Sequence, residues 1–132
     1  MLNLFDNSVL GKNQTVFPYP SEQYDFNRFP PLNDTYAMKY YGIEMVQEGK
    51  CGVLYKDSNE SLVFEWDPLE LPWLGVWVTA GAWHGDYNFA MEMTSGFYDI
   101  IGRAIEQGKI VVLQPGEKRS YHIRISLMHR CK

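Results

Sequence analysis

From residue 34 onward, apolar and polar positions alternate in short runs that recur about every ten residues and are broken by Gly, Asn, Asp or Pro. The runs predict strands over about 35–41, 51–56, 61–66, 73–79, 86–94, 109–113 and 119–128. That rhythm is typical of an all-β antiparallel sandwich or barrel. In "SLVFEW" the residues Leu62, Phe64 and Trp66 share one face, and in "YHIRISL" the residues Tyr121, Ile123, Ile125 and Leu127 do. "DSNE" and "QPGEK" read as hairpin turns between such strands. One helix interrupts the pattern over about 97–107, with Ile101, Ala104 and Ile105 as its apolar stripe. Thr94 or Ser95 is placed to cap its start, Asp99 suits its positive end, and Gly108 suits the stop.

Before residue 34 the pattern weakens. "LNLF" is either one strand or part of a loosely ordered lead-in over residues 1–15, and Pro18, Pro20, Pro30 and Pro31 make the next stretch an extended, aromatic-rich connection. A chain of 132 residues fits one domain spanning 1–132, with a single modest core. Its 45% hydrophobic and 21% charged residues indicate neither disorder nor a fibrous repeat.

A formal net charge of -4 without a Lys/Arg cluster argues against nucleic acid or an anionic membrane as the main partner. A small neutral ligand or another protein fits better. With no apolar run long enough to span a bilayer and no basic-then-apolar start, a cytoplasmic location is expected. Cys51 and Cys131 lack metal-ligand spacing and read as free thiols, so neither a metal nor a cofactor is expected. Aromatic content, at 15%, changes the picture most. Aromatic rings build cores, but they also form flat platforms for ligands with apolar faces.

Three groups of residues are candidates for chemistry. In "YNFAMEMT", Tyr87, Phe89, Met91 and Met93 alternate with Asn88, Ala90, Glu92 and Thr94, which places Glu92 among small and polar neighbours. A partly desolvated carboxylate there is a better proton acceptor near neutral pH. The alternative is a solvated Glu92, or one paired with an arginine such as Arg103 or Arg124. In "LPWLGVWVTAGAWHG", Trp73 and Trp77 flank Gly75 on one strand face and Trp83 follows, which suits either core packing or a shallow groove for a sugar ring. His84 follows Trp83 between glycines; it is a potential proton donor or an ordinary surface histidine.

Taken together, "FEWDPLELPWLGVWVTAGAW", "DYNFAMEMTSGFYD" and "VVLQPGEKRSYHIRI" resemble the C-terminal half of the aldose 1-epimerase (galactose mutarotase) family, especially its divergent bacterial mutarotase-related branch. The match covers about residues 60–128 and extends more weakly through "KYYG" and "FPYP" to about residue 16. The resemblance implies part of a large antiparallel β-sandwich whose concave sheet holds a monosaccharide. It also implies that Glu92 takes the proton of the anomeric hydroxyl, that Trp73, Trp77, Trp83, His84 and Asn88 line the sugar, and that Asp34 of "NDTY" holds sugar hydroxyls.

The departures are specific. The family's catalytic histidine and substrate-binding arginine, which lie in its N-terminal half, have no counterpart here, and Met93 replaces the proline that commonly follows the glutamate. An aldose 1-epimerase-like isomerase, a non-catalytic sugar-binding module and a structural remnant that dimerises all fit these facts. A half-sandwich exposes strand edges and an apolar sheet face, so a homodimer or a separate N-terminal half is the expected partner.

Overall fold

The computed structural model describes residues 1–22, 24–32 and 36–129, and within them the chain is mainly antiparallel β with one short helix. The strands are β1 (Leu2–Asn3), β2 (Ala37–Tyr41), β3 (Lys50–Tyr55), β4 (Glu60–Trp66), β5 (Trp73–Ala80), β6 (Tyr87–Thr94) and β7 (Ile123–His129). They form two sheets, ordered β1-β2-β5-β6 and β3-β4-β7. The helix α1 spans Ile101–Glu106. The chain folds as two compact units, Met1–Glu44 with Leu74–Glu92, and Met45–Trp73 with Met93–Lys132.

The first unit is built on the β1-β2-β5-β6 sheet. Met38 and Tyr40 of β2 stand opposite Val78 and Val76 of β5, and Met38, Tyr40 and Val78 are its buried core. Phe17, Phe26, Phe29 and Phe89 pack against that core. The proline-rich connection therefore serves as a lid of rings, with Phe26 stacked on Phe17 at 5.2 Å and edge-on to Tyr40 at 5.0 Å.

Leu2 and Asn3 form the short strand β1. Asn3 is fully buried; its amide donates to the carbonyls of Gly11 and Lys12, and its side-chain oxygen accepts from Asn7. Leu2 and Asn3 thereby align with Tyr41 and Tyr40 at the edge of the sheet.

The second unit is built on β3-β4-β7. Pairing places Cys51, Phe64 and Ile125 side by side, then Val53, Leu62 and Leu127. The turn at Lys56–Asn59 joins β3 to β4 where "DSNE" predicts one. Trp66 is buried, and its indole N–H donates to the Leu71 carbonyl at 2.9 Å. The predicted face of β7 is present but exposed, with Ile125 at 62% and Leu127 at 73%, and β7 pairs with β4 at the edge of its sheet among the described residues.

Two predictions fail here for identifiable reasons. The helix begins at Ile101 rather than 97, because Tyr98 has φ +87 and Ile100 is extended, and neither conformation fits an α-helix. The Thr94 hydroxyl donates to the Gly96 carbonyl instead of capping α1, and of the predicted stripe only Ala104 is buried. Gly108, at φ +65, does end the helix.

No strand forms over 109–113. The Lys109 N–H is used by Ala104 O and its carbonyl by Phe97 N–H, so the chain closes onto the helix end instead of entering a ladder. "QPGEK" is still a turn, with Glu117 N–H donating to Gln114 O and Gly116 at φ +81. Among the described residues no helix is long and apolar enough to cross a membrane.

Candidate functional site

Alternation along β6 is observed as predicted. Tyr87 and Phe89 pack on Phe29, at 4.8 and 5.3 Å between ring centroids, so they point to the core side of the sheet. Glu92 points to the other side, where its Oε2 lies 2.8 Å from Lys39 Nζ. The partner is a lysine of β2, not Arg103 or Arg124: Arg103 donates to the Tyr98 hydroxyl, and Arg124 stands opposite Glu65.

β5 lies between β2 and β6, so Lys39 and Glu92 start about 10 Å apart and converge over β5. Their side chains are 17% and 29% exposed. They are partly withdrawn from water but still accessible.

Gly75 explains what lies beneath the pair. It stands opposite Tyr41, and a Cβ built on it would meet the Tyr41 ring at 2.6 to 2.9 Å. The Tyr41 ring thus lies over Gly75, where the sequence allowed either core packing or a shallow groove. A ring laid over a cross-strand glycine shields exposed backbone and fixes register. The Tyr41 hydroxyl is directed to the same Oε2 of Glu92 at 3.5 Å, the long limit of a hydrogen bond, and Lys39 Nζ lies 5.9 Å from the ring centroid.

The tryptophans divide between the units. Trp73 is 6% exposed and belongs to the second unit's core, with Phe97 at 5.1 Å and Lys109 Nζ 4.9 Å over its ring. This is the core-packing alternative left open by the sequence. Trp77 stands opposite Lys39 on the Glu92 side of the sheet and meets Phe5 at 5.8 Å and Trp83 at 6.0 Å.

Trp83 is 58% exposed. It opens a turn in which Asp86 N–H donates to Trp83 O while His84 and Gly85 both have positive φ, the signature of a type I′ turn. That turn folds Trp83 back edge-on against Trp77 and leaves His84 exposed beside Trp83, with 6.0 Å between ring centroids. Asn88, on the Glu92 side by alternation, is exposed at the start of β6. Asp34 and Cys131 lie outside the described residues.

Two groups therefore share one sheet face in the first unit. One is the polar cluster Lys39–Glu92–Tyr41, and the other is the aromatic row Phe5–Trp77–Trp83–His84; they meet where Lys39 and Trp77 are cross-strand neighbours, with Cβ atoms about 5 Å apart. Lys39, Tyr41 and Phe5 were not singled out in the sequence. The available signal was a lysine at the centre of the apolar run "AMKYY", on the face opposite Met38 and Tyr40. Hollows lined by other residues include one at Tyr19, Pro20, Tyr24 and Phe26 and one at Trp66, His122 and Ile123. The Glu92 face is partly covered: Tyr41 and Thr79 are buried on it, Trp77 is intermediate, and Asn88 and Trp83 are exposed. Among the described residues no group of three or more His, Cys, Asp or Glu is placed to hold a metal ion.

Comparison with protein-family models, with curated proteins and with solved structures returned no match to this chain.

Proposed function

We propose that the chain is a carbohydrate-binding domain of galactose mutarotase-like type, in which Glu92 is the base that opens the sugar ring. The observation that carries this reading is an ion-paired, largely buried carboxylate on the same sheet face as a row of aromatic rings that ends in the exposed Trp83. As an ion pair Glu92 is a carboxylate and can accept the anomeric proton. Flat indoles suit the C–H patches of a pyranose, and the hydroxyl rim matches polar groups such as Asn88. The motif order around Glu92 supplies the link to aldose 1-epimerases.

Freshly dissolved α-D-glucose or α-D-galactose is expected to approach anomeric equilibrium faster with the protein than in buffer, as followed by polarimetry. Glu92→Gln is expected to abolish the acceleration. Absence of acceleration with these hexoses and their phosphates removes the enzymatic reading.

A second reading, a non-catalytic sugar-binding module, is favoured by the position of His84. Its ring contact is with Trp83, whereas the polar contacts of Glu92 run to Lys39 and Tyr41. In that case calorimetry with the same sugars gives binding that Trp77→Ala weakens and Glu92→Gln leaves nearly unchanged.

A further inference from the structure

We infer that Lys39 is the proton donor that works with Glu92, taking the place of the family histidine; this rests on the mutarotase-like reading above. Opening a pyranose requires a proton to leave the anomeric hydroxyl oxygen and a proton to reach the ring oxygen. Both oxygens are bonded to the same carbon. A base and an acid serving them together must both reach one small region around that carbon, and Glu92 Oε2 and Lys39 Nζ, 2.8 Å apart, are close enough to do so.

The step balances with these two groups alone. Glu92 takes the proton of the anomeric hydroxyl, the bond from the anomeric carbon to the ring oxygen breaks, and that oxygen takes a proton from the Lys39 ammonium. The products are the open-chain aldehyde, a carboxylic acid and a neutral amine. After rotation about the bond between the first two carbons, the hydroxyl attacks the other face of the aldehyde. Its proton returns to the Lys39 amine, and the new anomeric oxygen takes the proton held by Glu92. No net charge is created in the site, since an ion pair becomes a neutral pair and then reverts, which suits a site withdrawn from water.

The surroundings fit this role. Trp77, directly opposite Lys39, borders the pair with an apolar ring, and the Tyr41 hydroxyl steadies Glu92 from the third side. Lys39 is 17% exposed in its side chain, held in a strand rather than a loop, so its ammonium has little freedom to leave Glu92. A purely structural ion pair has the same geometry. The two roles separate when the charge is kept and the exchangeable proton is removed.

Arginine does this, because a guanidinium keeps the ion pair but is not deprotonated in proteins. Mutarotation of fresh α-D-glucose and α-D-galactose is measured for the wild-type chain and for Glu92→Gln, Lys39→Arg and Lys39→Ala, with folding of each checked by circular dichroism and thermal melting. The expected result is wild-type acceleration, its loss in Glu92→Gln, and a loss on the order of 100-fold or more in Lys39→Arg with the fold intact. Added ethylammonium is expected to restore part of the rate in Lys39→Ala, which a missing structural strut does not predict. Wild-type acceleration with Lys39→Arg within about threefold of it overturns the assignment of Lys39 and leaves Glu92 as base. A wild-type chain without acceleration overturns the assignment and the mutarotase reading together.

Discussion

Gly75 and Tyr41 show how a single residue shapes the site. The Tyr41 ring lies over a position with no side chain, and Tyr41 is only 2% exposed, so the ring has little room to move aside. Gly75→Ala is therefore expected to lower stability by about 1–3 kcal/mol, the usual range for overpacking. Denaturant melts check this as a fall in midpoint at unchanged slope; an unchanged midpoint means the ring relaxes freely. Glu92 was legible from the sequence because period-two alternation fixes which neighbours share its face. Its partner was not, because Lys39 is more than fifty residues away and only the β2-β5-β6 strand order brings the two together. For the same reason "WLGVW" left core packing and a groove both open: the ring that lies over Gly75 comes from another strand.

At the scale of elements, legibility follows how local the controlling interaction is. The hairpin from β3 to β4 and the β5–β6 pair carry their own alternation and turn residues, and they form close to the predicted limits. Residues 109–113 have the same apolar look as a strand, yet the backbone of Lys109 is claimed by Phe97 and Ala104, a medium-range choice that periodicity does not encode. The docking of β3 on β4 makes a measurable prediction through Cys51, which lies opposite Phe64. Burial pushes the Cys51 thiol up from an ordinary 9.0 to about 11. Between those values the unfolded chain gives up this proton while the folded chain keeps it, so stability is full below about pH 9 and falls as pH rises toward 11. Other groups titrate in the same range, so the contribution is read as the difference between wild type and Cys51→Ala. Denaturant melts at pH 8, 9, 10 and 11 are expected to show the wild type losing more stability than the variant. Parallel curves mean that β3 does not shield the thiol.

For the whole molecule, charge and open apolar surface act against each other. The net charge is -4 at pH 7 and the isoelectric point is near 5.3, so repulsion between copies fades as the pH falls toward that value. The row formed by Ile123, Ile125 and Leu127 is 43%, 62% and 73% exposed on an edge strand, the kind of surface that recruits another apolar surface once repulsion is weak. Self-association is therefore expected to peak near the isoelectric point and to decline toward pH 7, as followed by light scattering or sedimentation at fixed ionic strength. Charge alone predicts the same pH dependence for any surface, so the decisive comparison holds charge constant. The double variant Ile125→Thr, Leu127→Thr leaves net charge unchanged, places β-branched residues suited to a strand at both positions, and removes most of the exposed row. If that row drives association, the variant stays monomeric at pH values where the wild type assembles. If both assemble alike, the β7 face is not the contact, and the expectation of a dimer through this sheet is lost while the chemistry assigned to Glu92 is untouched.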